Sequence, residues 1–487
     1  MKILVVGEGG RESAIIKKLS DSPSITELYI APGNGGTNKY ATNINIQSDD
    51  VVSLLDFAKN KNIDLTVVGP EIPLSMGIVD LFEKNNLNIF GPNKKASKIE
   101  SSKTFAKNLM KKYKIPTADF NVFTDSNDAI KFLKSSKFPT VIKADGLAGG
   151  KGVLIVNNFK EAEIAVENIM GKKIFGQSGE KIIIEEFLDG KEFSVFVFTD
   201  GNKILHMLSA CDYKKAFDND EGPNTGGMGS FAPAPQFNKS NEEYIVKKII
   251  NPTLKGLKEQ QHIFKGVLYC GLIETPKGIF VIEYNCRLGD PETQVVMPTL
   301  EYDLLTLIQS CIKSTSTMKI PKQKISAVGV VLVSDGYPGK YETGKKININ
   351  ENFNKIDNSY IYHAGTKVEN KQLLTSGGRV LTAVGIGKNI NEARKIAYQV
   401  TNTVKYKNKF IAYFLSLLVL LASTILLVDY FLEYKNKYVF FFTRNPKIFI
   451  RFKAKDIEQI DQIIKKIQIP KKNSLLKNSP VPFRNRY

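Results

Sequence analysis

Short apolar runs alternate with longer mixed segments through the first hundred residues. Four runs, at residues 3–6, 28–31, 65–68 and 88–90, predict strands, and each is followed by glycine or proline. The stretches between them have helical length and mixed polarity. Strands that alternate with helices are typical of a parallel α/β sheet, which we expect over residues 1–100.

The pattern changes after residue 100 and again near residue 324. Residues 101–321 are richer in β-branched runs and glycine loops. Residues 324–404 contain strand-like runs at 327–333 and 379–384, before a helix-like segment at 391–400. The hydrophobic pattern therefore predicts a multidomain protein of mixed α/β and α+β class.

A different composition begins at residue 405. Residues 410–428 carry no charge over nineteen positions, close to the length of about 20 residues that spans a bilayer. Basic residues flank this segment on both sides, so the positive-inside rule gives no orientation. We expect residues 405–487 to be an atypical tail. It is either a lineage-specific membrane anchor or the product of a run-on or frame-shifted translation.

The net charge of +19 is concentrated in that tail. Residues 405–487 hold 17 Lys+Arg against 5 Asp+Glu, which leaves +7 for residues 1–404. A modestly basic body suits phosphorylated small molecules as well as it suits polynucleotides; of the two, we expect small molecules and no nucleic-acid partner. The four cysteines form no C-x-x-C pair, and the amino terminus lacks the apolar core of a signal peptide. A reducing cytoplasm is therefore the expected location of residues 1–404.

The first glycine loop, GEGGRE at residues 7–12, connects a predicted strand to a predicted helix. Backbone N–H groups at a helix start can hold a phosphate or another anion, although a simple tight turn explains the pattern equally well. Glu12 occupies the place of the third glycine in a dinucleotide fingerprint, so the loop is not that motif.

The second glycine loop, DGLAGGKG at residues 145–152, lies between strand-like runs at 140–143 and 153–156. It lacks the spacing of a P-loop. A flexible hairpin of this kind can fold Lys151 down over a triphosphate, and Lys143 adds a second positive charge.

Two further segments suggest binding surfaces. Residues 182–188 (IIIEEFL) can form the edge of an adenine pocket, with Glu192 placed to accept hydrogen bonds from ribose; an ordinary core strand has the same pattern. The glycine loop at 222–229, which follows Asp212, can bring backbone N–H groups close to an anion.

The most specific local pattern is FVIEYNCR at residues 280–287. In an extended strand Glu283, Asn285 and Arg287 point to one face. Carboxylate and amide oxygens suit magnesium beside phosphate oxygens, and an arginine can stabilise a transferring phosphoryl group.

Together these segments resemble the glycinamide ribonucleotide synthetase (phosphoribosylamine–glycine ligase) family of ATP-grasp enzymes. The order and spacing of the similar motifs hold across residues 1–404. They are GEGGRESA at 7–14, APGNGGT at 31–37, VGPEIPL at 68–74, SSKTFAK at 101–107, IKADGLAGGKGV at 142–153, IEEFLDGKE at 184–192, GPNTGGMGSFAPAP at 222–235, IEYNCRLGDPETQ at 282–294, DGYPGKYETG at 335–344, HAGT at 363–366 and SGGRVL at 376–381.

The resemblance implies an amino-terminal α/β domain (1–100), a two-lobed ATP-grasp domain (101–321, mobile lobe about 118–190) and a small carboxy-terminal domain (324–404). It also implies a reaction of purine biosynthesis. ATP phosphorylates glycine, and the amine of 5-phosphoribosylamine attacks the glycyl phosphate, giving glycinamide ribonucleotide, ADP and phosphate. ATP with Mg²⁺ or Mn²⁺ and a monomer or weak dimer are implied as well. Catalysis would depend on positioning and on neutralising phosphate charge.

Individual roles carry over by matching position. The residues implied to bind ATP are Lys103, Lys143, Lys151, Glu185, Glu186, Phe187, Leu188 and Glu192. Those implied to bind phosphoribosylamine are Gly10, Arg11, Glu12, Asn34, Asn224, Thr225, Gly226 and Gly227. The implied metal ligands are Glu283 and Asn285, and the implied catalytic positions are Asp212, Arg287 and Lys151.

Three departures from the family pattern leave alternatives open. Ser13 stands where histidine is usual, Tyr213 and Lys215 replace the histidine and arginine of an Asp-His-Lys-Arg run, and the family's usual ending is missing after residue 404. Lysine lacks the planar fork with which arginine binds phosphate. The alternatives are another ATP-grasp carboxylate–amine ligase that uses a different acid, and an inactive ATP-binding homologue held at a membrane through residues 410–428.

Overall fold

The computed structural model describes residues 1–149, 152–218, 221–314 and 322–411, together with three strands between residues 432 and 453. The chain divides into two compact units, Met1–Phe414 and Leu415–Tyr487. All candidate site residues belong to the first unit. The described residues of the first unit form three sheets of more than two strands.

The first sheet is parallel throughout, as the sequence predicts. Its order is β3-β2-β1-β4-β5. The central strands are apolar and buried on both faces, as a parallel sheet covered by helices requires. The strands are β1 Lys2–Gly7, β2 Glu27–Pro32, β3 Thr42–Asn43, β4 Leu65–Val68 and β5 Ile89–Phe90, and the helices are α1 Gly10–Ser20, α2 Val51–Asn60, α3 Glu71–Met76 and α4 Ile78–Lys84.

The second sheet is antiparallel and has four strands in the order β6-β9-β7-β8. Its strands are β6 Phe120–Phe123, β7 Thr140–Ala144, β8 Val153–Val156 and β9 Ile182–Glu186. The helices of this region are α5 Lys98–Ser101, α6 Lys103–Lys112, α7 Ser126–Leu133 and α8 Phe159–Val166. Strands β7 and β8 form the predicted hairpin around the second glycine loop, while residues 150 and 151 lie outside the described part of the chain.

The third sheet has nine strands and runs from the predicted ATP-grasp region into the carboxy-terminal region. Its path is β14-β13-β10-β11-β12-β15-β20-β17, and β22 pairs with the far end of β15. The strands are β10 Lys191–Thr199, β11 Ile204–Phe217, β12 Glu221–Ala232, β13 Gly266–Thr275, β14 Gly278–Asn285, β15 Ser326–Ser334, β17 Ser359–His363, β20 Arg379–Gly387 and β22 Lys409–Phe410. Strand β12 pairs directly with β15, from Gly229↔Val330 to Ala232↔Ala327.

Shorter pairs and helices complete the unit. The two-stranded pairs are β16 Asn348–Ile349 with β21 Val404–Lys405, and β18 Thr366–Glu369 with β19 Gln372–Thr375. The helices are α9 Lys239–Ile245, α10 Asn251–Glu259, α11 Thr293–Thr299, α12 Leu304–Lys313 and α13 Ile390–Thr403; π-helical turns occupy Glu167–Gly171 and Val246–Ile250, and 3-10 turns occupy Thr37–Lys39, Gly176–Gly179 and Glu351–Lys355. One buried apolar cluster joins β1 to β10 and to α12, so the first and third sheets share a core.

The folded body continues beyond residue 404, where the sequence predicts the last unit to end. Strand β22 pairs with β15, and the Tyr406 hydroxyl donates to the carbonyl oxygen of Val333 at 3.0 Å. The ring of Phe410 meets Phe217 edge-on, 6.1 Å between centroids. The predicted apolar segment 410–428 therefore begins on a residue of the folded body.

The remainder of that segment, 412–428, lies outside the described residues, so the anchor stays a prediction. Among the helices that are described, none combines the length and the apolar composition that crossing a bilayer requires. In the second unit, β23 Leu432–Lys435, β24 Tyr438–Phe442 and β25 Phe449–Lys453 form an antiparallel three-stranded sheet.

A truncation series tests where the body ends. A chain that stops at residue 404 loses β22, the Tyr406 hydrogen bond and the bonds from Lys409 Nζ to the carbonyl oxygens of Thr401 and Val404. We expect it to be less stable by about 2 kcal/mol or more than a chain that stops at residue 411, as measured by urea denaturation. Equal midpoints for the two chains would contradict this assignment.

Candidate active site

The base of the second glycine loop is tied to the start of helix α6. The Lys103 backbone N–H donates to the Asp145 carbonyl oxygen at 2.9 Å, and its Nζ donates to the Gly146 carbonyl oxygen at 3.0 Å. The Asp145 carboxylate accepts from the Thr104 backbone N–H at 2.6 Å. The loop therefore lies at a helix amino terminus beside a lysine, a position that favours phosphate.

Lys143 connects this loop to strand β14. Its Nζ donates to the carbonyl oxygen of Ile282 at 3.1 Å, immediately beside Glu283. It also pairs with Glu185 at 3.0 Å. The structure thus brings Lys103, Lys143 and Glu283 close together. Their roles in binding ATP and metal stay predictions, and Lys151 lies outside the described residues.

Glu185 occupies a buried position between two lysines. Its Oε2 accepts from Lys107 Nζ at 3.1 Å and from Lys143 Nζ at 3.0 Å, and all three side chains are less than 5% exposed. Its Oε1 has no hydrogen-bond partner among the described residues. Lys107 also donates to Thr117 Oγ1 at 2.7 Å. Burial lowers the pKa of Lys107 to about 8 although Glu185 opposes the shift.

The rest of the predicted adenine edge lies where β9 ends. Glu186 is exposed and lies 3.7 Å from Lys277 Nζ, while Phe187 and Leu188 are half-buried. Glu192, at the start of β10, is exposed and its Oε2 lies 3.1 Å from Lys214 Nζ. These side chains are reachable from solvent, in contrast to Glu185.

Glu283 is the acidic centre of the site. Burial raises its pKa, but the surrounding positive charges outweigh burial, so the pKa lies below its ordinary value and the group is ionised. Those charges belong to Lys214, Lys143, Lys103 and Arg287. Glu283 and Asn285 stand two residues apart near the end of β14, and both are half-buried. An ionised carboxylate can bind a metal ion, and the neighbouring lysines can neutralise the phosphate oxygens that the same metal binds.

Metal binding by this pair fits its donor chemistry. Within the parts of the chain that the structure describes, no group of three or more His, Cys, Asp and Glu side chains could hold a metal ion. Magnesium in phosphoryl-transfer sites needs only one or two protein oxygens beside substrate phosphates. Glu283 and Asn285 supply that number.

Asp212 and Glu292 extend the acidic cluster behind Glu283. Burial raises the pKa of Asp212, and Lys214 opposes the shift. Burial, followed by the charge of Asp212, raises the pKa of Glu292 to about 7. The Tyr269 hydroxyl donates to Glu292 Oε1 at 3.1 Å and accepts from Ser194 Oγ at 2.8 Å. The sequence does not predict Tyr269, since a buried tyrosine in a strand carries no local signal.

The raised pKa of Glu292 predicts a pH dependence of stability. Between about pH 4.5 and pH 7 the folded chain holds a proton that the unfolded chain has released, so the free energy of unfolding falls as pH rises and levels off above about pH 7. In Glu292→Gln this part of the slope is expected to disappear. Urea midpoints of both proteins across this range measure it, and a pH-independent difference between them would refute the assignment.

Arg287 does not lie on the strand face that the sequence predicts for it. Pairing of β14 with β13 ends at Asn285, and the next N–H, of Cys286, donates to the carboxylate of Glu100 at 2.8 Å. Arg287 therefore follows the strand. Its guanidinium binds Glu71 at 3.1 Å and Glu100 at 2.8 Å, and these carboxylates raise its pKa against the effect of burial.

Arg11 and Glu12 in the first glycine loop are paired with each other. Arg11 Nε lies 2.6 Å from Glu12 Oε1, and Glu12 Oε2 accepts from the Gly9 backbone N–H at 2.7 Å. Both side chains are buried, and Gly10 lies within helix α1. These bonds are those of a well-satisfied strand-to-helix turn, so a substrate role for the three residues stays a prediction.

Asn34 links the amino-terminal sheet to the carboxy-terminal module, which comprises residues 326–411. Its Nδ2 donates to the carbonyl oxygens of Glu8 at 2.7 Å and His363 at 3.0 Å, and to Ser13 Oγ at 3.0 Å. Ser13 donates to the same His363 carbonyl at 2.5 Å. The hydroxyl of Ser13 thus both donates and accepts a hydrogen bond in this contact.

The glycine segment with Asn224, Thr225, Gly226 and Gly227 belongs to strand β12, which corrects the predicted loop. Thr225 Oγ1 donates to the Lys214 carbonyl at 2.8 Å. The register between β11 and β12 shifts on both sides of Lys215, so the strand pair is irregular here. Of the four residues, Asn224 pairs with Lys215 of β11, and the hairpin tip at 219–220 lies outside the described residues.

Sequence models of three phosphoribosylglycinamide synthetase domains match this chain. The N domain matches residues 1–100, the ATP-grasp (A) domain residues 101–293, and the C domain residues 327–411. Together they cover most of the body that the structure describes. The C domain match ends at residue 411, just after β22.

Individual proteins give the same similarity. The phosphoribosylamine–glycine ligase of Caldanaerobacter subterraneus is 47% identical over 408 residues, which are 84% of this chain and 97% of that protein. The crystal structure of the Thermotoga maritima phosphoribosylamine–glycine ligase is 33% identical, with a TM-score of 0.73 over 85% of this chain and 99% of that one. The biotin carboxylase domain of Hydrogenobacter thermophilus 2-oxoglutarate carboxylase is 16% identical, with a TM-score of 0.66 over 84% of this chain and 91% of that one, which shows the fold alone.

Proposed function

Because this chain belongs to the phosphoribosylglycinamide synthetase family, we propose that it joins glycine to 5-phosphoribosylamine with ATP. The products are glycinamide ribonucleotide, ADP and phosphate. The main support for the proposal is that Lys103 and Lys143 lie close to Glu283 of β14. Lys143 Nζ donates to the carbonyl oxygen of Ile282, the residue before Glu283. Lysines and an ionised carboxylate around one point are what a metal-bound triphosphate needs.

The reaction divides into two displacements. A carboxylate oxygen of glycine attacks the γ-phosphorus of ATP and ADP leaves. The nitrogen of phosphoribosylamine then attacks the acyl carbon, phosphate leaves and the nitrogen loses a proton. Neither step needs a protein nucleophile, so the chain contributes by binding and orienting the reactants.

Each side of the site has its own proposed task. Lys103 and Lys143 bind phosphate oxygens at the glycine hairpin, and residues 186–188 with Glu192 border the nucleoside. Glu283 and Asn285 would hold Mg²⁺ or Mn²⁺, which would supply charge neutralisation at the phosphates. Asp212 lies toward glycine, and the Gly226 segment of β12 faces phosphoribosylamine. Lys151 and Arg287 retain the catalytic roles that the family resemblance implies.

An omission assay tests the proposal. ADP release is measured with ATP, glycine and phosphoribosylamine and after each is left out, and the product is identified by mass. We expect continuous release only with all three, because turnover needs the acceptor amine to remove the acyl group from glycyl phosphate. Release with another amino acid in place of glycine would favour a different carboxylate–amine ligase, and no release under any condition would favour an inactive ATP-binding homologue. Full-length protein and a chain ending at residue 411 are compared in parallel, because the structure places β22 in the folded body.

A further inference from the structure

The carboxy-terminal module reaches the candidate site through Arg379, the first residue of β20. Its Nη1 donates to the carbonyl oxygen of Gly226 at 2.6 Å and to that of Asp290 at 2.8 Å. The same nitrogen lies 3.4 Å from the Asp290 carboxylate. One guanidinium group therefore joins strand β12 to the turn that precedes α11.

Tyr337, from the same module, binds the backbone N–H of Gly226. Its hydroxyl accepts from the Gly226 backbone N–H at 3.0 Å. Gly227, next in the chain, has a φ of +113°, and a Cβ there would lie 2.3 Å from Pro291 Cδ. The glycine segment and the turn are thus in direct contact, and side chains of the carboxy-terminal module occupy both polar groups of Gly226.

Two arginines from distant parts of the chain act on Asp290. Burial raises its pKa, but Arg379 and Arg11 lower it by more, so the carboxylate is ionised. Gln294 Nε2 also donates to Asp290 Oδ1 at 2.8 Å. The turn at Asp290 therefore interacts with Arg379 of β20 and with Arg11 of helix α1.

We infer that Arg379 is a positioning residue for the acceptor amine. By fixing Gly226 against Asp290, it holds the phosphoribosylamine side of the site in register with the acyl phosphate formed near Glu283 and Lys143. Tyr337 assists from the same module. This inference rests on the proposed function, and it makes the carboxy-terminal module part of the acceptor site.

Two assays separate acceptor positioning from a general structural role. The first measures kcat and KM for phosphoribosylamine in the complete reaction. The second omits phosphoribosylamine and traps glycyl phosphate with hydroxylamine, whose nitrogen attacks the acyl carbon and displaces phosphate to give glycine hydroxamate. The second assay reports on ATP, glycine and the first displacement only.

Arg379→Met is expected to lower kcat/KM for phosphoribosylamine by about tenfold or more, mainly through KM, because a charge-assisted bond pair is lost. Hydroxamate formation stays at the wild-type rate. Arg379→Lys, which keeps the charge without the fork, falls between wild type and Arg379→Met. Lys388→Met removes an exposed cation just beyond the other end of β20 and changes neither assay.

Two results overturn the inference: a parallel loss in both assays, or no loss in either. If Arg379→Met fails to fold, Arg379→Lys and Tyr337→Phe decide the question by the same criterion, and both are expected to raise KM for phosphoribosylamine. A wild-type protein that forms no glycinamide ribonucleotide in the first assay refutes the proposed function itself, and the role of Arg379 falls with it. Normal hydroxamate formation with an unaffected Arg379→Met variant refutes only the role of Arg379.

Discussion

Replacing Glu283 by glutamine is expected to lower kcat of the complete reaction by about a hundredfold or more, without unfolding the protein. The carboxylate faces four positive side chains, which keep it ionised in spite of burial. The amide that replaces it is nearly the same size but has no charge, so it binds a divalent metal weakly. The same variant should therefore need a higher Mg²⁺ concentration for half-maximal ADP release.

Glu274→Gln is the matched control for that experiment. Glu274 lies on β13, toward the other end of the same strand pair, and its carboxylate accepts from Asn241 Nδ2 at 3.0 Å. It is expected to keep wild-type turnover and the wild-type Mg²⁺ requirement. Glu283→Gln with more than half of the wild-type kcat and an unchanged Mg²⁺ requirement would remove the metal-binding role from this residue.

A second large effect is expected on stability, from Glu185. In Glu185→Gln the two buried lysines, Lys107 and Lys143, lose their shared counter-charge. Removing one partner from a buried ion cluster leaves uncompensated charge in a medium of low dielectric constant, which costs about 3 kcal/mol or more. We expect a corresponding fall in the free energy of unfolding measured with urea.

The neighbouring residue provides the control. Glu186→Gln changes an exposed carboxylate that lies 3.7 Å from Lys277 Nζ, so its expected effect is about 1 kcal/mol or less. In the double variant Glu185→Gln with Lys107→Met, one of the uncompensated charges is gone, and part of the lost stability should return. Equal midpoints for Glu185→Gln and Glu186→Gln would show that the ion cluster contributes no net stability.

The fold was predictable wherever the hydrophobic pattern is local. The strand at residues 65–68 coincides with β4, and the run at 153–156 coincides with β8, because each is bounded by glycine or by a polar turn. The continuity of the third sheet was not predictable, since β12 pairs with β15 across about a hundred residues of chain. Sequence periodicity reports which face of a strand is buried and carries no information about its neighbour.

The residues of the candidate site were likewise predictable only where they lie close together in the sequence. Glu283 and Asn285 could be placed together because they are two residues apart in one strand. Lys107 could have been found as well, since it lies four residues after Lys103 on one helix and shares its face. Arg379, Tyr337 and Tyr269 reach the site only through tertiary packing. Arg287 was assigned to the strand because nothing in the sequence indicates that the Cys286 N–H binds the Glu100 carboxylate and so ends the strand pairing.

The pairing of β12 with β15 also has a consequence during synthesis. When residues 229–232 leave the ribosome, their hydrogen-bonding partners at 327–330 have not yet been translated. Until they arrive, the nascent chain presents an open strand edge that can recruit a strand from another molecule. Slow translation or premature termination between residues 232 and 327 should therefore favour aggregation, and a chaperone that shields this edge should raise the yield of native protein.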